Sequence, residues 1–218
     1  MTSAWREFAG GVRGELPILL GTVPFGLIYG ASAFNEGITH TVAQAMSAIV
    51  FAGSAQFIVA QFIGASVPGL VIVITAFVVN LRHALYSASL APYLRHLPRR
   101  WKWPLAYLMT DEAYAVAIVH YQQPTDVAKK HYYFLGAGLT LWVSWQAATA
   151  VGVFVGAQIP APWSLDFALP LTFIALVVPT IRDRAGAAAA IVAGIAAVAF
   201  AALPFKSGLL VATFAGIL

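Results

Sequence analysis

Long apolar runs follow one another along almost the whole chain, and only short charged or Pro/Gly-containing stretches separate them. A helix needs about 20 apolar residues to cross the hydrocarbon core of a bilayer. Such runs, the last one short, lie at residues 15–34, 41–64, 68–94, 104–121, 132–157, 167–181, 185–203 and 205–218. They lack the alternation of transmembrane β-strands and predict an all-α, polytopic transmembrane bundle of about seven or eight segments. We assign residues 1–14 to a cytoplasmic N-terminal segment and residues 15–218 to one transmembrane domain.

The composition also indicates a protein embedded in a lipid bilayer. Of the 218 residues, 61% are hydrophobic and 9% are charged, whereas roughly 25% are charged in soluble domains. The net charge is +4, but the basic residues cluster between apolar runs, which argues against a nucleic-acid partner and for the positive-inside bias. The absence of cysteine excludes disulfides and thiolate metal sites, and we predict no cofactor. A signal peptide over residues 1–33 is an alternative, although Pro and Gly in the first run favour a packed helix.

Basic clusters predict the orientation of the segments, because cytoplasmic loops are enriched in Lys and Arg. The clusters lie at residues 6–13, 95–102, 129–131 and 182–184. If all are cytoplasmic, an even number of crossings separates successive clusters, yet three runs precede residue 95 and one lies between residues 102 and 129. We therefore predict that runs 68–94 and 104–121, which have polar centres, are broken or re-entrant and line a cavity. Alternatively, one basic loop violates the bias and every run spans.

The polar residues at these two centres are Asn80, Arg82 and His83 in one run and Asp111 and Glu112 in the other. An Arg or Asp at the middle of a transmembrane helix costs roughly 2.5–3.5 kcal/mol, so these charges need partners. Because an Arg side chain binds a carboxylate through two parallel hydrogen bonds, we predict that Arg82 pairs with Asp111 or Glu112. The remaining acid can take up a proton, since burial favours the neutral form of a carboxyl group.

Two other interpretations of these charges stay open. The ion pair can be a permanent one that fixes helix register, or the charged side chains can extend to the membrane interface. His83 can be a hydrogen-bonding spacer instead of a proton relay. On a helix, Arg82 and Tyr86 share one face, with Asn80 and His83 on a neighbouring one.

A further polar interruption, Gly53, Ser54 and Gln56, lies inside run 41–64. Gly and Ser can loosen a helix. Exposed carbonyls, together with the Ser and Gln side chains, can then hold an ammonium or a carboxylate group. The alternative is a notch of small residues for helix packing, with Gln56 hydrogen-bonded across helices.

Several of these motifs together resemble the AzlC family. The motifs are Phe51-Ala-Gly-Ser-Ala-Gln-Phe57, Asn80-Leu-Arg-His83, Tyr86-Ser87, Ser89-Leu-Ala-Pro92-Tyr93-Leu94, Thr110-Asp111-Glu112, and Leu165-Asp166-Phe-Ala-Leu-Pro170 to Arg182-Asp-Arg184. The resemblance extends from Leu16 to the C-terminus. It covers long motifs, and it is therefore specific for the family.

The resemblance implies the large subunit of a bacterial branched-chain amino acid exporter. We accordingly expect a multi-pass protein of the inner membrane that exports valine, leucine and isoleucine, with methionine as a further substrate, driven by protons. The resemblance also implies a small membrane subunit of the AzlD type as partner. On this interpretation the substrate-binding residues are Gly53, Ser54, Gln56, Asn80, Arg82 and Tyr86, and the proton-coupling residues are Asp111, Glu112 and His83. The aliphatic side chain of the substrate is expected to contact Phe51, Phe57 and Phe77.

Two other classes of function were weighed against transport. An intramembrane enzyme that uses Asp111, Glu112 and His83 as an acid–base set is disfavoured, because the sequence has no HExxH zinc motif, nucleophile motif or phosphate-binding loop. We predict that the protein is not an enzyme. A passive channel or a non-catalytic assembly subunit is the remaining alternative, and efflux that is indifferent to a proton gradient would indicate the channel.

Overall fold

Helices are the only regular elements in the residues that the structure, a computed structural model, describes: 3–123, 129–156, 181, 183–200 and 208–217. They are α1 (Ser3–Glu15), α2 (Leu19–Asn35), α3 (His40–Ile49), α4 (Gly53–Gly64), α5 (Gly69–Asn80), α6 (Arg82–Leu94), α7 (Arg99–Tyr107), α8 (Asp111–Tyr121), α9 (Lys130–Gly156), α10 (Arg184–Ala199) and α11 (Gly208–Ile217). A short 3-10 turn, Leu16–Ile18, joins α1 to α2. The all-α prediction is confirmed for these residues.

Among the described residues, three helical stretches are long and apolar enough to cross a membrane, namely Ala4–Asn35, Gly69–Leu94 and Lys130–Val155. A shorter apolar helix, Arg184–Ala199, occupies most of another predicted run. The predicted count of seven or eight segments is therefore not confirmed. Run 167–181, apart from Ile181, lies outside the described residues, as do the ends of the last two runs and the motif at residues 165–170.

Runs 41–64 and 104–121 are each divided into two short helices. The first is interrupted over residues 50–52, just before Gly53 begins α4, so the break precedes the Gly–Ser pair at which the sequence predicts loosening. The second is interrupted over residues 108–110, where the Thr110 hydroxyl caps α8 by accepting a hydrogen bond from the Ala113 amide. Such a cap satisfies a backbone donor that a new helix leaves unpaired. The predicted break in run 104–121 is confirmed.

Run 68–94 is a nearly continuous helix, so the prediction of a re-entrant segment is wrong here. Only Leu81 separates α5 from α6, and its φ of −56° and ψ of −25° belong to the right-handed helical region. The backbone therefore keeps its direction, and the predicted break is reduced to one residue. The charges do not force a turn, because the Arg82 side chain finds polar partners while the helical backbone continues. The even-crossing argument therefore does not produce a turn of the backbone in this segment.

The central contact of the bundle joins α2 to α9. A Cβ atom added to Gly30 would collide with the Thr149 carbonyl, and one added to Gly152 would collide with the Leu27 carbonyl. Glycine lets the two backbones touch at this point, which is how helices associate when lipid removes the hydrophobic driving force between them. Helix α1 packs along the same α9 and contacts α8, so much of the segment assigned to residues 1–14 is part of the bundle. The side of the membrane that it faces stays a prediction.

Two polar contacts one helical turn apart hold α3 against α9. The Gln44 Nε2 atom donates to Gln146 Oε1 over 2.7 Å, and the hydroxyl groups of Ser47 and Thr149 lie 3.0 Å apart. In addition, the Tyr29 hydroxyl donates to the Ala43 carbonyl over 3.1 Å. These bonds fix the end of α3, and therefore the break that follows it, to the central helix pair.

The continuous helix Gly69–Leu94 yields a prediction on topology. Single cysteines at Gly69 and His96, introduced into a chain that has no cysteine, should be labelled by an impermeant maleimide from opposite sides of the membrane, because a spanning helix separates them. Ala65→Cys is the control, since Ala65 is exposed in the loop just before α5 and should react from the same side as the Gly69 position. Labelling of the Gly69 and His96 positions from the same side would show that the segment is re-entrant and does not span the membrane.

Candidate functional site

A cavity of about 470 Å³ lies where the interrupted helices meet. Its wall includes the first residues of three helices, namely Gly53 of α4, Arg82 of α6 and Asp111 of α8. Both chain breaks, at residues 50–52 and 108–110, thus open onto the same space. Irregular backbone at membrane depth is tolerated where it lines a cavity and not where it faces lipid.

Arg82 joins the three helices at the cavity. Its Nη1 atom lies 2.8 Å from Asp111 Oδ2, and its Nη2 atom donates to Ser54 Oγ over 2.6 Å. The predicted pairing of Arg82 with one of the two acids is therefore confirmed, with Asp111 as the partner. The Arg82 and Asp111 side chains are 30% and 41% exposed, so the pair borders the cavity and is not sealed within the core.

The second acid, Glu112, also lines the cavity but forms no ion pair with any residue that the structure describes. This agrees with the expectation that one carboxylate is left over. His83 Nε2 lies 3.9 Å from Asp111 Oδ1, too far for a hydrogen bond. One permanent cation and two acidic side chains therefore share one wall of the cavity.

The first turns of α4 and α8, both at the cavity wall, differ in the ligand charge that they favour. Helix α8 has the Thr110 cap and carries Asp111 and Glu112 in its first turn. No side chain within the described ranges caps α4, whose first amides belong to Gly53 and Ser54. The positive end of a helix dipole attracts anions, and the unpaired amides of a first turn can bind them. The protein's own acids occupy this position at α8, whereas at α4 it is open to a ligand anion.

The cavity also has an apolar wall. Phe25, Phe51, Leu141 and Trp145 line it, and the Phe25 and Trp145 rings meet edge to face with their centroids 5.8 Å apart. A Cβ atom added to Gly53 would lie 3.0 Å from the Trp145 ring and 3.1 Å from the Phe25 ring. The absence of a side chain at Gly53 therefore sets the width of the cavity between its polar and apolar walls.

Most of the predicted site residues meet at this cavity. Those on its wall are Gly53, Ser54, Arg82, His83, Asp111 and Glu112. Gln56 is instead fully buried in the core, and Asn80 ends α5 outside the wall. Tyr86 stacks on Tyr114 of α8 with ring centroids 4.5 Å apart, so it supports the α6–α8 contact. The roles of all these residues in substrate binding or proton coupling stay predictions.

The three phenylalanines expected to contact the substrate have different positions. Phe51 lines the cavity. Phe57 is fully buried and stacks against Phe25, a residue of the cavity wall, but does not line the cavity itself. Phe77 is 66% exposed on the outer face of α5, so the expectation is wrong for this residue. The rotation of a helix about its own axis decides which of its side chains face the cavity. The uniformly apolar sequence of α5 does not reveal this rotation.

Several residues at the site are absent from the sequence predictions. Trp145 and Phe25 lie inside apolar helices, and no pattern separates them from residues that face lipid. Glu15 has a clearer signal, because it is a charged residue inside the candidate span Ala4–Asn35. The sequence analysis places it at the boundary of the first run, where a charge is ordinary. In the structure Glu15 is completely buried and interacts electrostatically with Glu112.

Comparisons with known proteins agree with this architecture. A family model described as AzlC protein matches residues 17–159. An "uncharacterized membrane protein" of Archaeoglobus fulgidus is 28% identical over 214 residues, which cover 96% of this chain and 92% of that protein. The inner membrane protein YgaZ of Escherichia coli is 25% identical over 90% of this chain and 83% of its own length. The "branched-chain amino acid transport protein AzlC" of Bacillus subtilis is 28% identical over 79% of this chain and 67% of its own length.

No solved structure matches the chain. The family model nevertheless covers well over half of the 218 residues, and relatives that align with most of the chain are named as membrane proteins. The described helices include stretches apolar enough to span a bilayer. The chain belongs to the AzlC family.

Proposed function

We propose that the protein is the large subunit of a proton-coupled secondary transporter that exports branched-chain amino acids across the bacterial inner membrane. The observation that carries this proposal is a cavity lined both by charged side chains, from α6 and α8, and by apolar side chains, from α2, α9 and the break before α4. An α-amino acid with an aliphatic side chain has the same division, because its zwitterionic head and its side chain need opposite surroundings. The name of the Bacillus subtilis relative, a branched-chain amino acid transport protein, supports the same substrate class.

The charged head group can be oriented by the two helix ends at the cavity. The substrate carboxylate binds at the open first turn of α4, beside the Arg82 guanidinium that already contacts Ser54. The substrate ammonium binds on the α8 side, where Asp111 and Glu112 supply negative charge. This orientation directs the side chain toward the apolar wall.

The apolar wall has the composition expected of a pocket for aliphatic side chains. Phe25, Phe51, Leu141 and Trp145 offer aromatic and branched surface with few polar atoms, and a volume of about 470 Å³ lies in the range of small-molecule sites. Such a pocket discriminates poorly between side chains that differ by one methylene group. We therefore propose that valine, leucine, isoleucine and methionine are all substrates.

Proton coupling is assigned to the acids of the α8 end. Asp111 is engaged by Arg82, whereas Glu112 has no ion pair in the described residues, so Glu112 is the acid that can change charge with less disruption of the helix contacts. A neutral Glu112 would weaken the ammonium site, and an ionised Glu112 would strengthen it. His83 lies close enough to Asp111 to respond to its charge. Substrate affinity then depends on protonation, which is the requirement for coupling.

A small membrane subunit of the AzlD type is proposed as the partner. In the candidate span Gly69–Leu94, which carries Arg82, 6% of the most apolar window is buried against other described residues. The corresponding share is 39% in each of the other two candidate spans. Leu70, Val73 and Phe77 are exposed on it. A spanning helix that also carries the site residue Arg82 is suited to a protein neighbour, which would hold it in place more specifically than lipid does.

The function is tested by reconstituting the chain into vesicles with and without a co-expressed small subunit of the AzlD type. We expect efflux of labelled valine, leucine, isoleucine and methionine under an imposed proton gradient, and none of labelled glutamate or lysine, whose charged side chains would meet the apolar wall. Arg82→Gln should raise the apparent KM about ten- to a hundredfold, since hydrogen bonds to charged groups are worth about 1.5–3 kcal/mol.

The control for this substitution is Arg99→Gln, which removes the same charge from an exposed position at the start of α7. It should leave the KM unchanged. Equal KM values for the two variants would remove Arg82 from the substrate site. Concentration-driven leakage that ignores the gradient would replace the transporter with a passive channel.

A second prediction concerns proton coupling by the acids of α8. Asp111→Asn and Glu112→Gln, made separately in a complex verified as folded, should lose proton-driven efflux, because each fixes one acid in a neutral state. Glu112→Gln should retain exchange of labelled for unlabelled substrate in the absence of a gradient, since the Arg82–Asp111 pair stays intact. Wild-type proton-driven efflux in both variants would show that neither carboxylate is the coupling site.

A third prediction uses the close approach of Gly53 to the aromatic wall. In Gly53→Ala, the added methyl group lies 3.0 Å from the Trp145 ring and narrows the cavity. Efflux of leucine should therefore fall more than efflux of valine, with a selectivity change of about 1–3 kcal/mol for one methylene-sized difference. Gly69→Ala is the matched control, because a Cβ atom there meets nothing within 4 Å. A uniform loss for all substrates would indicate that Gly53 does not set the pocket width.

A further inference from the structure

Glu15 is a buried acid that the proposed transport site does not use. It is the last residue of α1, lies inside the candidate span Ala4–Asn35 and has no exposed surface. Both of its carboxylate oxygens lack a hydrogen-bond partner among the residues that the structure describes. An ionised carboxylate without partners in such surroundings is far more costly than a neutral carboxyl group.

The groups around Glu15 come from each helix packed against α1. On α8, Glu112 is close enough for a like-charge interaction with Glu15. On α9, the Tyr133 hydroxyl lies against Gly14, and Tyr133 interacts electrostatically with Glu15. On α1 itself, Arg13 is exposed and points away from the core.

A second polar cluster continues from Tyr133 along the α1–α8–α9 contact. The Tyr133 ring stacks on the His120 ring with centroids 3.8 Å apart and an angle of 5° between the ring planes. His120 Nε2 in turn lies 2.9 Å from Glu7 Oε2. Tyr133 is therefore the residue that links this cluster to the surroundings of Glu15.

The charges near Glu15 do not balance if both acids are ionised. Arg82 is the permanent cation on the described cavity wall, and Asp111 already engages it. Ionised Glu15 and Glu112 would then add two neighbouring negative charges in a low-dielectric site. Carboxyl groups that share such a site keep a proton between them, because the second ionisation is opposed by the first.

We infer that Glu15 is a proton-binding site that shares a proton with Glu112 beside the substrate cavity. Its role in transport rests on the proposed function. When the substrate ammonium binds next to Glu112 it stabilises the ionised form, and the proton that Glu112 releases is taken up by the Glu15 carboxylate, which becomes the neutral acid. The reverse transfer accompanies substrate release. Charge is conserved in each transfer, because one acid loses the proton that the other gains.

The proton at Glu15 can be tested without transport by infrared difference spectroscopy of the full chain in lipid. Between acidic and alkaline buffers, the wild type should show the carbonyl band of a protonated carboxyl group in an apolar environment. Glu15→Gln should lose the part of this band that belongs to Glu15. Glu36→Gln, the same substitution at the end of α2 away from the cavity wall, should retain the band that Glu15→Gln loses. Identical spectra for the wild type and Glu15→Gln would overturn the inference.

A chemical measurement on the wild type covers the case in which Glu15→Gln fails to fold. Dicyclohexylcarbodiimide modifies protonated carboxyl groups in apolar surroundings, and mass spectrometry should locate the adduct at Glu15, with less modification as the buffer becomes more alkaline. Glu36 should remain unmodified. An unmodified Glu15 in acidic buffer would contradict a protonated site.

The transport role is measured separately in the reconstituted complex. Glu15→Gln should lose proton-driven efflux but retain substrate exchange, whereas Glu36→Gln should retain both. If the wild type shows the Glu15 proton but moves no branched-chain amino acid, the proposed function fails and the proton site stands. If Glu15→Gln loses the carboxyl band but keeps wild-type proton-driven efflux, the proton at Glu15 is not part of coupling and that portion of the inference is wrong.

Discussion

The contact between Arg82 and Asp111 is the interaction on which the cavity depends. It joins α6 to α8, and the second nitrogen of the same guanidinium reaches Ser54 at the start of α4. A charge placed inside an apolar bundle must find compensation, and here one side chain satisfies this requirement across three helices. The chain breaks before α4 and α8 are brought to the same place as a result. The contacts that compensate the Arg82 charge therefore also determine where the cavity lies.

The remaining helices provide a scaffold that does not depend on charge. Glycines at positions 30 and 152 let the α2 and α9 backbones touch, and the Gln44–Gln146 hydrogen bond anchors α3 to this pair. These contacts lie away from the cavity wall. The site can therefore change its protonation or its ligand without loss of the bundle, because packing and short polar bonds hold the helices that surround it.

The sequence predicts the structural features that avoid a large free-energy cost, such as an unpaired charge in the bilayer or an unpaired backbone group at a helix start. The Arg82–Asp111 pair is one, since isolated charges in a bilayer are expensive wherever they lie. The break in run 104–121 is another, because a Thr cap followed by two acids is a strong helix-start signal. By contrast, the even number of crossings expected between the basic clusters predicts a break near Asn80, but the helix continues there. A helix already satisfies its own backbone, so a polar side chain requires only a partner and not a break.

Helix rotation is the part of the site that the sequence could not supply. Phe57 and Phe77 both lie in apolar helices, yet one is completely buried and the other is 66% exposed. In a soluble protein, polar residues on the outer face would distinguish them. In lipid both faces of a helix are apolar, and that signal is absent. For this reason the sequence does not identify Trp145 as a cavity residue. Glu15 is recognisable in the sequence as a charge inside an apolar span, but its burial becomes visible only in the packing of α1.

The charge balance of the cavity sets a limit on how the site can operate. An amino acid enters as a zwitterion, so it brings no net charge, and the excess of acids over Arg82 is the same before and after binding. Substrate binding can therefore change which acid holds a proton more readily than it changes how many protons are held. Its ammonium favours an ionised acid on the cavity wall, while the complete burial of Glu15 favours the neutral form of that carboxyl group and therefore a proton in the inner position. A carrier built in this way senses its substrate through the position of a proton, and the apolar packing around Glu15 makes the two positions unequal in energy.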